Sequence, residues 1–380
     1  MTANRSFRFL CATVALTSFV WLAGCNRLRP HPAVQYVYVV SKDTFLRDRV
    51  AAVSNKVAEV TNGERLEVVE HGRRFLKVKT AKGAVGWLEQ HAIIEQPVYE
   101  QFVQLQQQHA HDPVVATAVL RDDLYLHDKP GRHTERFYLL PEADKLQLLV
   151  RASVPKEIPP QALPLSRTRK LPSDHNVPAA PPPPVLEDWW LVRDSQGRVG
   201  WMLSRRMDVD VPDEIAGYAE GQRIVGAYVL ARVYDPESSF PDKQAPEYVA
   251  VISPYKDGLP YDFDQVRVFT WNTKKHRYET AYRQRNLEGY LPVTVGTQTF
   301  DKLGSEPVFS FKVADGDSVA LSPDGEEHPA RTVTLTYRME GGLIRKVLPP
   351  GTNAPAAVKS PAPSRVVHSR HHNRRHRSKK

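Results

Sequence analysis

The sequence predicts a mainly β protein with few short helices: two small β modules, the second interrupted by a Pro-rich insert, then a β-sandwich or barrel domain. Three observations predict it. From Val34 onward, short alternating apolar runs are separated by turn residues. A segment spanning Phe75–Leu88 recurs without a gap at Trp189–Met202, which marks an internal repeat. The 31 prolines concentrate in Pro155–Pro184, with four in a row at Pro181–Pro184, and in Pro349–Pro363. Such stretches are extended and solvated rather than core. A chain of 380 residues has room for two or three domains.

The N-terminus has the parts of an export signal. Arg5 and Arg8 form a positive start, Phe9–Trp21 carries no charge, and Leu22-Ala23-Gly24-Cys25 follows. The apolar run is short for a bilayer span, which needs about 20 residues. Leu-Ala-Gly-Cys resembles the lipobox of bacterial lipoprotein precursors. That resemblance implies cleavage between Gly24 and Cys25, a signal peptide over 1–24 and a tether over 25–34. It also implies a diacylated Cys25 that anchors the chain to a bacterial membrane, facing the periplasm or the exterior; two acyl chains suffice for stable anchoring. The chain has two cysteines, Cys11 and Cys25. Cys11 falls in the signal, so the mature chain is expected to form no internal disulfide and to rest on packing.

The repeat is an aromatic-led strand, a Gly turn and a second strand ending in Gly-Trp. Such a pattern makes a β-hairpin. Gly83 and Gly197 are expected to supply positive φ at the turn, and Gly86 and Gly200 to let the backbone pass close to a neighbour. Trp87 and Trp201, at the same repeat position, are expected in the core. This hairpin resembles the C-terminal half of the bacterial SH3 family, SH3b, a small β-barrel. Thr44–Arg47 and Leu124–His127 fill the place of that family's first strand, and Gly63–Val69 fits its middle in copy one. The resemblance covers 35–95 and 114–207, the second copy being interrupted at about 155–185. It implies two SH3-like barrels and, as a class of ligand, cell-wall peptide or sugar. Trp189 and Trp190 are adjacent on a strand and should point to opposite faces. One of them is therefore a candidate to be exposed and to stack on a wall ligand, with structural packing as the alternative.

Between the copies, Val98, Phe102 and Leu105 fall on one face and Pro97 suits a first turn, so a connecting helix is expected within 96–113. A second short helix is expected at Pro212–Ala219. The region 213–348 reads as all-β, with strands at Ile224–Val233, Tyr248–Ile252, Val266–Trp271, Tyr278–Arg283, Val308–Val313 and Thr332–Arg338, and a hairpin turn at Asn272–His276.

The net charge of +9 is a property of the tail: from Arg345 onward there are ten Lys or Arg and no acid, so the remainder sits near −1. Residues 349–380 are Pro/Ala-rich and then basic, too poor in apolar residues to fold alone. Arg370, Arg374, Arg375, Arg377, Lys379 and Lys380 are candidate contacts for envelope polyanions. Export argues against nucleic acid as a partner.

Catalytic signals are sparse. No cysteine follows Cys25 to serve as a nucleophile, a role that needs an activated thiol or hydroxyl. Ser318 half-matches a nucleophile elbow but lies among β and turn residues. His109, His111 and Asp112 lack the further ligands and base of a catalytic zinc site. Asp315, Asp317, Asp324, Glu326 and Glu327 lack the spacing of a calcium loop. No cofactor, metal or catalytic residue is assigned. The sequence thus points to a noncatalytic envelope lipoprotein binding peptidoglycan or an envelope protein. The alternatives are a cell-wall hydrolase with its site in the C-terminal β domain and a structural subunit of an envelope assembly.

Overall fold

The computed structural model describes residues 34–157 and 184–348, apart from 302, 317–318 and 322–326. The chain is mainly β. The first module comprises β1 (Tyr36–Val39), β2 (Asp43–Arg47), β3 (Lys56–Thr61), β4 (Arg65–His71), β5 (Phe75–Lys79), β6 (Val85–Glu89) and β7 (Ile93–Glu95). They form one antiparallel sheet in the order β3-β2-β6-β5-β4-β1-β7. Alternate residues turn inward: Val37, Val39, Leu46, Val60, Leu66, Val78 and Leu88 make a core of their own. Each such side chain contributes about 1.5–3 kcal/mol on full burial.

Helix α1 (Gln96–Gln108) follows at once, with Pro near its start where a missing N–H costs nothing. Its apolar stripe buries Phe102 and packs Val98 and Tyr99 against the second module. The helix ends at His109, and the Arg193 guanidinium donates to the carbonyls of His109 (3.2 Å) and Asp112 (2.9 Å) beyond it, a basic group where the helix end has acceptors to spare.

The second module repeats the first strand for strand. Its members are β8 (Ala116–Leu120), β9 (Leu124–His127), β10 (Arg136–Leu140), β11 (Lys145–Pro155), β12 (Leu186–Arg193), β13 (Val199–Leu203) and β14 (Met207–Val209). The order is β10-β9-β13-β12-β11-β8-β14, the first order with each label raised by seven. Even the irregularity matches, since β4 bulges between Val68 and Glu70 and β11 between Leu148 and Val150. The Pro-rich insert leaves between β11 and β12, whose pairing continues out to Pro155 and Leu186. Residues 158–183 of that insert lie outside the described residues.

The modules meet through a shared core. Tyr38 and Ile94 of the first module join Phe102 and the interior of the second, and Tyr38 stacks on Tyr99 at 3.7 Å. Asn62 locks the junction. Its amide donates to Val40 O (2.6 Å) and Phe137 O (3.0 Å), and its oxygen accepts the Leu139 N–H (3.0 Å).

After a short helix, α2 (Asp213–Ala216), come β15 (Arg223–Tyr234), β16 (Gln244–Ser253), β17 (Gln265–Asn272), β18 (Arg277–Gln284), β19 (Gly289–Phe300), β20 (Gly304–Ala314), β21 (Val319–Leu321), β22 (Glu327–Pro329), β23 (Thr332–Glu340) and β24 (Leu343–Val347). Two four-stranded sheets, β15-β16-β17-β18 and β19-β20-β23-β24, face each other, with β21 and β22 as a separate ladder. Val249, Val251, Val266 and Val268 of one meet Val293, Phe309, Phe311, Tyr337 and Met339 of the other. Of the two expected forms, the region is therefore a sandwich. Its first sheet is buried on both faces, because Ala250, Ile252, Phe269 and Tyr278 pack outward under Ile215 of α2. That is why Val249–Ile252 reads as an unbroken apolar run. The six expected strands are present, and β19, β21, β22 and β24 add to them. Half of β19, Thr294 to Thr299, is exposed, so that stretch carries no hydrophobic alternation to read.

Candidate functional site

The repeated glycines do what their spacing implies. Gly83 (φ +85°) and Gly197 (φ +79°) hold left-handed turns. Gly86 and Gly200 lie where β2 and β9 cross. A Cβ on Gly86 would stand 2.8 Å from Leu46 Cβ and 2.9 Å from Arg47 O; on Gly200, 2.6 Å from Leu126 Cβ and 3.1 Å from His127 O. The same two positions of each module are blocked, so both copies need the missing side chain.

The tryptophans require corrections. Trp87 and Trp201 are half-buried on the outer face of their sheets; the inward neighbours on β6 and β13 are Gly86 and Leu88, Gly200 and Met202. Trp201 packs with Leu105, Leu149, Leu191 and Val199, whereas Trp87 carries the Lys77 ammonium over its ring at 5.8 Å. Trp189 and Trp190 do point to opposite faces, but neither is exposed, at 2% and 7%. Trp190 enters the module core. Trp189 lies against His127 with ring centroids 5.2 Å apart. The outer face of β12 is covered, by Leu105 of α1 beside Leu191 and by Arg132 over Glu187. Neither ring is available to stack on a wall ligand. His127, enclosed here and near Arg136, is pushed down to about 4 by burial and by that charge.

Other predicted positions are quickly placed. Gly24, Cys25, Ser318, Asp317, Asp324, Glu326 and the tail candidates Arg370, Arg374, Arg375, Arg377, Lys379 and Lys380 lie outside the described residues. His109 Nδ1 is 2.6 Å from Asp112 Oδ2, a hydrogen bond just past α1. Asp315 pairs with Arg331 at 3.2 Å. Among the described residues no group of three or more His, Cys, Asp or Glu is placed to hold a metal ion.

What the structure brings together is a charged seam between the second module and the sandwich. Asp188, 1% exposed on β12, accepts Ser153 Oγ (2.6 Å) and Gly258 N (2.9 Å). Arg151 reaches from β11 to Asp262 (2.8 Å) and donates to the carbonyls of Leu259 (3.0 Å) and Tyr261 (3.2 Å). Arg223, at the start of β15, donates to Ser204 Oγ at 3.0 Å and lies 3.7 Å from Asp188. Arg205 donates to Asp257 Oδ2 through Nε (2.8 Å) and Nη2 (2.6 Å). Three guanidiniums thus face three carboxylates, which lets Arg151, Arg223 and the three acids leave water while Arg205 stays half-exposed. Tyr228 of the sandwich adds a hydrogen bond to the carbonyl of Val115.

At its rim the seam opens into a cleft of about 320 Å³ lined by Arg121, Ser204, Arg205, Met207, Arg223, Tyr255 and Asp257. Arg121 is held in a fork by both oxygens of Asp208, with Nε 2.6 Å from Oδ2, and that partner raises its pKa. Tyr255 is 67% exposed. The Nε of Arg223 is buried without a hydrogen-bond partner among the described residues. The Arg121 and Arg205 forks are filled by Asp208 and Asp257, so what the cleft presents outward is the exposed Tyr255 ring beside the outer edges of fixed guanidiniums. Sequence reading missed this cleft, although one signal was available. Where copy one has Gln90-His91-Ala92, copy two has Ser204-Arg205-Arg206, a basic pair without a counterpart.

No family model matches the chain, and no curated protein is similar to it. Among solved structures, similarity extends to NlpC2 from Trichomonas vaginalis, at 9% identity and a TM-score of 0.15, over 56% of this chain and 62% of that one. For NlpC1 from the same organism the values are 7% and 0.15, over 67% of this chain and 94% of that one. A Listeria monocytogenes protein described as an autolysin candidate gives 10% and 0.15, over 66% and 93%. Likeness at that level carries no argument about fold or function.

Proposed function

We propose that this protein is a noncatalytic, lipid-anchored envelope protein that binds carboxylate-bearing wall polymer, peptidoglycan being the expected ligand. The observation that carries the reading is the cleft at the seam, with Arg121, Arg205 and Arg223 beside exposed Tyr255. Asp208 and Asp257 hold these guanidiniums in place as ion pairs, so the cleft would act on a ligand through fixed orientation and the Tyr255 ring rather than through net positive charge. The SH3b-like character of the modules and the lipobox at Cys25 set the reading in the envelope. Residues 350–380 supply a second, electrostatic attachment.

Sedimentation of the purified protein with sacculi tests it. Tyr255→Ala, at an exposed ring, is expected to reduce co-sedimentation at least threefold without lowering thermal stability, and removal of 350–380 to reduce it further at low salt. Unchanged binding by both variants would eliminate the reading. Release of soluble wall fragments in the same tube would favour the hydrolase alternative. Intact mass of membrane-extracted protein checks the anchor, with an acylated chain beginning at Cys25 expected.

A further inference from the structure

We propose a second ligand site, for an oxyanion such as a carboxylate or phosphate group, on the outer face of the first sandwich sheet beside the turn after α2, where Glu220 occupies it as a built-in stand-in. Arg267 of β17 and Arg283 of β18 are direct cross-strand partners. Like charges placed opposite one another repel, so something must hold them. One oxygen of Glu220 does so: Oε2 lies 2.8 Å from Arg267, 3.0 Å from Arg283 and 3.7 Å from Arg285.

The cations are built in. Arg267 is 1% exposed. Its Nη1 donates to Tyr218 O at 2.6 Å, while its Nε has no hydrogen-bond partner among the described residues. Gln265, equally buried, accepts the Nε–H of both Arg283 (2.7 Å) and Arg285 (2.9 Å) on its single amide oxygen. Two guanidiniums pinned by their inner N–H groups turn their outer ones the same way, toward Glu220. Forks fixed in advance lose little entropy when they bind.

The stand-in is less fixed. Glu220 is half-exposed and sits in a left-handed turn, φ +54°, just before Gly221. It borders an open pocket of about 340 Å³ shared with Gln222, Asp264, Gln265, Arg285 and Asn286. Three guanidiniums face two carboxylates, Glu220 and Asp264. Positive charge is therefore in excess. Glu220 already shows that the site accepts a carboxylate, so an external oxyanion would compete for the same donors, displacing Glu220 toward solvent.

Calorimetric titration of the full chain with inorganic phosphate at low ionic strength tests this. The natural protein, Glu220→Gln, and Glu220→Gln with Arg285→Ala all keep the basic tail, so differences among them report this site. Gln preserves an acceptor for buried Arg267 while removing the competing charge. Glu220→Gln is expected to bind phosphate at least tenfold more tightly, to show a larger rise in melting temperature in phosphate over chloride, and to lose both gains with Arg285→Ala. Equal affinity in the natural and Glu220→Gln proteins would overturn the proposal, as would a gain that survives Arg285→Ala.

Discussion

The two modules share a strand order, a bulge position and a glycine crossing, yet one is nearly free-standing on its outer face and the other is enclosed. At matched positions, copy one has Arg73-Arg74 before Phe75, while copy two has Glu187-Asp188 before Trp189. The acidic pair meets Arg132 on one face and, with Arg151 and Arg223 alongside, the sandwich on the other. Following the shared bulge, His71 corresponds to Arg151. His71 is exposed and contacts Gln35 at 2.9 Å, whereas Arg151 is anchored to the loop before β17. The backbone recipe was kept, then, while the surface of one copy became an interface.

That difference is sharpest at Arg151. Arg151→Ala would leave Asp262 and two inter-domain carbonyls short of a donor, with an expected loss of roughly 3 kcal/mol. His71→Ala should cost under about 0.5 kcal/mol. Denaturant unfolding of both variants measures the contrast. A double-mutant cycle of Arg151 with Asp262 should show strong coupling; additive losses would mean that the seam does not join the units energetically.

The glycine crossing tests what the copies have in common. Gly86→Ala and Gly200→Ala each drive a methyl group into a strand, against Leu46 and Arg47 or Leu126 and His127. Overpacking of this kind costs roughly 1–3 kcal/mol. Both variants should fall in that range by thermal unfolding. Should either prove neutral, the crossing would not be the reason for its glycine.

What was legible in the sequence follows the range of the interactions. Gly83, Gly86, Gly197 and Gly200 answer to local backbone geometry, so their spacing exposed both modules before any tertiary contact was known. The burial of both Trp189 and Trp190 did not, because the cover over β12 comes from α1 and from the loop bearing Arg132, both remote in sequence. Strand β19 was silent for the opposite reason: its exposed Thr294–Thr299 stretch makes no periodic demand. The cleft residues come from β8–β9, the turn before β14, β15 and the loop before β17, so only the basic pair Arg205-Arg206 left a trace, and only by comparison with copy one.

Acid should separate the modules more gently. Arg132 donates to both oxygens of Glu187 at 2.7 Å, and that fork holds the Glu187 carboxyl below its usual range. A carboxyl depressed in the folded state stabilises fully above its unfolded value of about 4.3, and the contribution is lost as pH falls through the folded value. Copy one has Arg73 at that position and no such carboxylate. Its Asp48 is also lowered, by the Asn55 N–H, but it sits in an exposed loop where the bond is worth little. The unfolding midpoint of the natural chain is therefore expected to drop between about pH 5 and pH 3, with amides of β12 losing protection before those of β5. Glu187→Gln should start lower at neutral pH and flatten the curve over that interval. If its curve instead ran parallel to the natural one, the buried fork would have no part in the acid sensitivity, and the enclosure of copy two would owe its stability to packing around Trp189 and Leu191 alone.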